Sequence, residues 1–139
     1  DKVGIRLLAK KIRRSKSVPD SIKKMKSDID IFWMLPDATV MTPETVRFML
    51  LFFLENNIPM MTFSEKYLKL GAFISVEADA YDIGIQAGEI ANAILSGKEP
   101  PNGRHIKARK IKIKINRKIA KKLGIQIDEK IIRDIGIND

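Results

Sequence analysis

The chain has 139 residues, of which 45% are hydrophobic, so it suits one ordinary globular domain rather than a disordered segment. Cysteine is absent, which excludes disulfides and thiol chemistry, and the single histidine, His105, argues against a histidine-based metal site or a Ser/His triad. The net charge of +9 admits nucleic acid, an anionic surface or solubility alone as its meaning, so the distribution of charge matters more than its sum.

Residues 4–12 predict a strand, with Ile5, Leu7 and Leu8 apolar, followed by a basic loop over 13–17. The start, Asp1-Lys2-Val3-Gly4, reads as mid-domain with no signal segment in view, and no apolar run is long enough to span a bilayer. Val18-Pro19-Asp20-Ser21 leads into a short helix through Met25, with Ile22 and Met25 on one face. The run Ile31-Phe32-Trp33-Met34-Leu35 suits a strand buried on both faces and breaks at Pro36-Asp37. Phe32 and Trp33 are therefore expected in the core, as are Met60 and Met61.

Thr42-Pro43-Glu44 is a helix start: a hydroxyl at the N-cap, proline at the first helical position and a carboxylate in the first turn. Val46, Met49, Leu50 and Phe53 follow at helical spacing, and Asn56-Asn57 ends the helix. Residues 58–63 predict a strand entered through Pro59, then the polar pair Ser64-Glu65, a short helix over 66–70 and a stop at Gly71. Residues 72–76 predict a further strand and residues 79–95 a long helix with the stripe Ile83, Ala87, Ile90, Ala91 and Ile94. Gly97 caps that helix and Pro100-Pro101 prevents its continuation. Residues 104–115 alternate isoleucine with lysine and arginine, which predicts a half-exposed strand or pair of strands with isoleucines inward and lysines in water. Residues 116–123 predict a capped helix ended by Gly124, and Ile131, Ile132 and Ile135 a last helical turn or two. Strands alternating with helices imply an α/β fold with a mostly parallel sheet flanked by helices.

In such sheets ligands bind at the carboxyl ends of the strands, which singles out the turns there. Asp37 and Thr39 follow one strand; a carboxylate there can hold a ligand ammonium, and Thr39 with nearby N–H groups a ligand carboxylate, although an Asx-turn would use Asp37 for the loop itself. Ser64 and Glu65 follow the next strand, where Ser64 is also a natural helix cap. Asp79 and Tyr81 stand at the start of the long helix, where Asp79 again doubles as a cap and Tyr81 offers a ring to a ligand. Acidic residues gather nearby, at Glu77, Asp79, Asp82 and Glu89. The basic strand suits nucleic acid only superficially, because it lacks interleaved aromatics for base stacking; a solvated, lysine-defended edge is the commoner explanation. No nucleophile–base pair or metal cluster emerges, so no catalysis and no cofactor are expected.

Together the pieces resemble a known family. They are Pro36-Asp37-Ala38-Thr39-Val40 at a strand end, Ile58-Pro59 leading to Phe63-Ser64-Glu65-Lys66-Tyr67, and Gly71-Ala72 with Ser75. Asp79, Asp82 and Gly84 then precede Gln86-Ala87-Gly88-Glu89, and Ile115-Asn116 comes before Ala120-Lys121-Lys122-Leu123-Gly124. In this order the chain resembles the carboxy-terminal half of the ABC-transporter substrate-binding proteins, which have a two-lobed type 1 periplasmic-binding-protein fold. The resemblance implies three stretches: 1–71 in the second lobe, 72–97 as a strand and helix crossing to the first lobe, and 98–139 as a return segment with a C-terminal helix. It implies that the first lobe and the first strand of the second lie outside these residues, so the partners would be a missing amino-terminal half or a second copy of the chain.

The resemblance further implies an extracytoplasmic solute receptor, serving a membrane ABC permease and binding a small molecule, an amino acid or similar zwitterion, between its lobes. The alternatives are the same fold as a sensory domain of a signalling receptor, or a basic nucleic-acid-binding domain. By resemblance the ligand-contacting positions are Asp37, Ala38, Thr39, Ser64, Glu65, Asp79 and Tyr81. Many relatives carry asparagine at Ala38, and a small residue at Glu77.

Overall fold

In the computed structural model, residues 4–99 and 106–134 are described. Helix α1 (Val18–Met25) follows a 3-10 turn over Ser15–Ser17; Val18 and Ile22, one turn apart, turn into the core. Strand β1 (Phe32–Trp33) pairs parallel with β2 (Met60–Thr62), Phe32 opposite Met60 and Trp33 opposite Met61. Between them lies helix α2 (Pro43–Glu55). Its start is a reciprocal capping box: the Thr45 N–H donates to Thr42 Oγ1 at 3.3 Å, and the Thr42 N–H to Thr45 Oγ1 at 3.0 Å. The Thr45 hydroxyl also donates to the Val40 carbonyl. The helix closes with Asn56 Nδ2 on the Phe52 carbonyl and Asn57 in the left-handed region, at φ 56°.

Strand β3 (Ile74–Ala78) pairs parallel with β2 and antiparallel with β4 (Ile111–Ile115), giving a four-stranded sheet in the order β1-β2-β3-β4. The sheet is thus mostly parallel with one antiparallel edge, flanked by helices, as the alternation of elements predicts. Helix α3 (Ala80–Leu95) leaves from the carboxyl end of β3; the short helices α4 (Arg117–Lys122) and α5 (Glu129–Asp134) follow β4. The core is one cluster built from Val18, Ile22, Met34, Met49, Phe53, Met60, Tyr67 and Ala72, with their neighbours. Phe32 stacks on Phe53 at 4.3 Å between ring centres, which ties the sheet to α2.

Three expectations are corrected. Residues 5–12 join no strand pair, and Ile5 and Leu7 are more than two-thirds exposed. An extended segment becomes a strand only beside a hydrogen-bonding neighbour, and none of the described strands pairs with it. Trp33 is 51% exposed rather than buried. It lies on the two-residue strand at the edge of the sheet, where one flank has no neighbouring strand among the described residues. Among the described residues the basic strand spans Ile111–Ile115; its Ile111 is 60% exposed, while Lys112 and Lys114, the first still more than half in water, each also reach a carboxylate.

The stripe of α3 does not pack on this sheet. Tyr81, Ile83, Ile94 and Leu95 are all exposed, and Asp82 is the buried residue of the helix. A Cβ added at Gly84 or Gly88 would meet nothing within 4 Å. What holds α3 is polar: Arg109 reaches Asp82 at 3.3 Å and Glu89 at 2.8 Å, and Gln86 Nε2 donates to the Lys107 carbonyl at 3.0 Å. His105, Arg104 and Ile135 lie outside the described residues.

Candidate functional site

The turns singled out in the sequence all stand beyond the carboxyl ends of the parallel strands. After β1, Asp37 closes its own turn: Oδ1 accepts the Thr39 N–H at 2.7 Å and the Val40 N–H at 3.3 Å. This is the Asx-turn alternative, and it occupies the carboxylate with local backbone. Asp37, Ala38 and Thr39 are all exposed.

After β2, Ser64 takes the N-cap position of the 3-10 turn Glu65–Tyr67 but makes no side-chain cap bond, so its hydroxyl does not play the expected capping role. Glu65 instead reaches across the sheet. Its carboxylate meets Lys114 Nζ at 2.6 Å, and its N–H donates to Glu77 Oε1 at 3.3 Å. The Lys114 ammonium holds the Glu65 carboxyl below the usual carboxylate range.

After β3, Asp79 caps α3. Oδ1 accepts the Tyr81 N–H at 2.9 Å and the Asp82 N–H at 3.2 Å, while Oδ2 lies 3.2 Å from Lys112 Nζ. The Asp82 N–H, followed by the Lys112 ammonium, lowers the Asp79 pKa. Tyr81 is 79% exposed.

Two candidates are thus joined by one device. Lys112 and Lys114, two residues apart on β4, share a sheet face with Glu77 and Ser75, their partners in register. Lys114 holds Glu65 and Lys112 holds Asp79, with Glu77 between them. Further along, Arg109 clamps Asp82 and Glu89, which raises its own pKa. Among the described residues no hydrogen bond or ion pair joins Asp37, Ala38 or Thr39 to this ladder. The basic partners were missed in the sequence, although acids at 77–89 and alternating bases at 107–114 signalled an antiparallel pair with opposite charges facing. Glu65 and Lys114 also line a shallow groove of about 450 Å³ with Leu68, Lys69 and residues 115–118.

An open α/β sheet with polar turns at its strand ends, and a helix leaving from one of them, is the arrangement of part of a periplasmic-binding-protein-like fold. The sequence profile described as ABC transporter substrate binding protein matches residues 1–135, and the chain belongs to that family. None of the curated proteins matches the chain. Among solved structures, it is similar to a conserved domain protein from Vibrio cholerae at 29% identity and TM-score 0.67, over 95% of this chain and 44% of that one. It shares its fold with an ABC domain from Streptococcus pneumonia in complex with L-Trp, at 23% identity and TM-score 0.70, over 98% of this chain and 45% of that one. A ligand-free, open substrate-binding protein with adhesive properties from Clostridium difficile also shares it, at 24% identity and TM-score 0.65, over 91% and 42%. The chain therefore spans less than half the length of each of these structures.

Proposed function

We propose that these residues form part of the solute-binding component of an ABC importer, acting outside the cytoplasmic membrane and without catalysis. Residues 72–97 carry the chain towards a first lobe, and a small zwitterion such as an amino acid binds where the lobes meet. Asp37, Ala38, Thr39, Ser64, Glu65, Asp79 and Tyr81 line this lobe's side of the cleft, and closure about the crossing segments presents the closed form to a membrane permease.

The observation that carries the reading is α3. It starts at the candidate site yet leaves much of an apolar stripe in solvent, and it is fastened here by Arg109 on Asp82 and Glu89 and by Gln86 on the Lys107 carbonyl. A helix of that composition needs a second sheet to cover it. The basic strand is also largely spent on carboxylates, which favours a receptor over a nucleic-acid binder. The co-complex of a protein with the same fold makes L-amino acids the first probes.

The test is mass spectrometry of small molecules released on denaturing the full-length protein, paired with thermal shift. A released amino acid or related zwitterion that raises the melting temperature when added back is the expected result. Steeply salt-dependent binding of duplex DNA, with no small-molecule stabilisation, would replace the receptor with the basic nucleic-acid domain.

A further inference from the structure

Four described carboxylates are withdrawn from full solvent exposure: Glu65, Glu77, Asp79 and Asp82. Three have a cation. Glu65 is met by Lys114, Asp79 by Lys112, and Asp82 by Arg109 and Lys110. Glu77 forms no ion pair with a described lysine or arginine and accepts only the Glu65 N–H. Lys112 is its direct partner across β3 and β4, but the Lys112 ammonium is drawn to Asp79 instead. One Glu77 oxygen is thus left without a partner among the described residues.

The surroundings point the same way. Glu77 lies one residue before the carboxyl end of β3, a strand parallel to β2, where open α/β sheets take their ligands. One pleat back on the same face, the Ser75 hydroxyl is fully buried and has no hydrogen-bond partner. Of the two carboxylates that sequence alone would offer to an ammonium, Asp79 has both oxygens engaged, by its helix cap and by Lys112, and Asp37 stands exposed on its own turn, away from the half-buried face that holds Glu77.

We infer that Glu77 is the carboxylate that receives the positive group of the ligand, so that this site selects molecules carrying an ammonium. The inference rests on the reading of the chain as an amino-acid-type receptor and adds the residue that sets its charge selectivity. The ammonium donates a charge-assisted hydrogen bond to the Glu77 oxygen left free by the Glu65 N–H.

The experiment uses the full-length protein, wild type and Glu77→Gln. Each of the twenty L-amino acids is screened by thermal shift. The strongest is then titrated by calorimetry beside its des-amino acid, in which hydrogen replaces the ammonium. The wild type is expected to favour the amino acid by about tenfold or more, the discrimination of one charge-assisted contact. Glu77→Gln is expected to bring the two probes within about threefold while its ligand-free melting temperature stays unchanged. Glu77→Asp, which keeps the charge, retains the preference. Discrimination that survives in Glu77→Gln overturns the inference and leaves the receptor reading standing. A wild type that no L-amino acid stabilises overturns both.

Discussion

Lys112 Nζ lies 3.2 Å from Asp79 Oδ2, and the other oxygen of that carboxylate caps α3 through the Tyr81 and Asp82 N–H groups. One side chain therefore fixes the start of α3 and ties it to β4. The lowered Asp79 pKa records the same arrangement: the ionised form is the one that the cap and the ammonium hold.

This arrangement sets a pH dependence. Because the folded pKa of Asp79 lies below its ordinary 3.8, its contribution to stability is fully present above that value and is lost as pH falls through the folded pKa. Glu65, lowered from 4.5 chiefly by Lys114, adds a loss of the same sign as pH falls below 4.5 and through its own folded pKa. In Asp79→Asn the amide oxygen still caps the helix but no longer titrates, so the fall of melting temperature below pH 4.5 is expected to be shallower than in the wild type. Thermal melts across the acid range read this directly, and parallel curves would assign the acid sensitivity elsewhere.

Phe53 is 1% exposed and stacks on Phe32, joining α2 to the edge strand β1. Phe53→Ala removes that ring from the centre of the cluster and leaves a cavity, at an expected cost of about 3–5 kcal/mol. Chemical denaturation measures the loss. A cost below about 1 kcal/mol would mean that α2 is not packed as described.

The capping box at Thr42 and Thr45 is the local switch for α2. Thr42→Ala removes the acceptor for the Thr45 N–H and is expected to destabilise by about 1 kcal/mol. Thr42→Ser keeps the hydroxyl and should recover most of that loss. Thr45→Ala is expected to cost at least as much, because the Thr45 hydroxyl is buried and also serves the Val40 carbonyl. Equal stability of all three variants would remove the box as a determinant of where the helix begins.

What the chain disclosed before folding was local. Thr42-Pro43-Glu44 marked the start of α2 because cap, proline and carboxylate act within one turn. The order of strands and helices followed in the same way. Trp33 and residues 5–12 misled because their burial depends on which strand lies beside them, and nothing within a few residues carries that information. The ladder of Glu65, Asp79, Lys112 and Lys114 was hidden for a related reason. Its partners are separated by 33 and 49 residues in sequence and meet only through the register of β3 against β4. The alternation of lysine with isoleucine was visible, but only that register shows the lysines facing carboxylates. At Asp37 both roles were open, and the geometry shows the turn using the carboxylate.

The last prediction concerns these 139 residues on their own. Ile83 and Ile94 on α3 are 44% and 54% exposed, and Tyr81 and Leu95 more so. At the other end of the sheet Ile31, Trp33 and Leu35 stand exposed along the unpaired edge of β1. Such edges and stripes are templates for association unless something covers them. At micromolar concentration the isolated polypeptide is therefore expected to form dimers or exchanged pairs, since an identical chain is the nearest source of a matching surface. Light scattering measures the mass. Replacing Ile83 and Ile94 together by lysine should shift the population towards monomer, with little loss of core stability because neither side chain is buried. An unsubstituted chain that stays a cooperative monomer would show that α3 needs no covering sheet, and the two-lobed cleft proposed above would go with it.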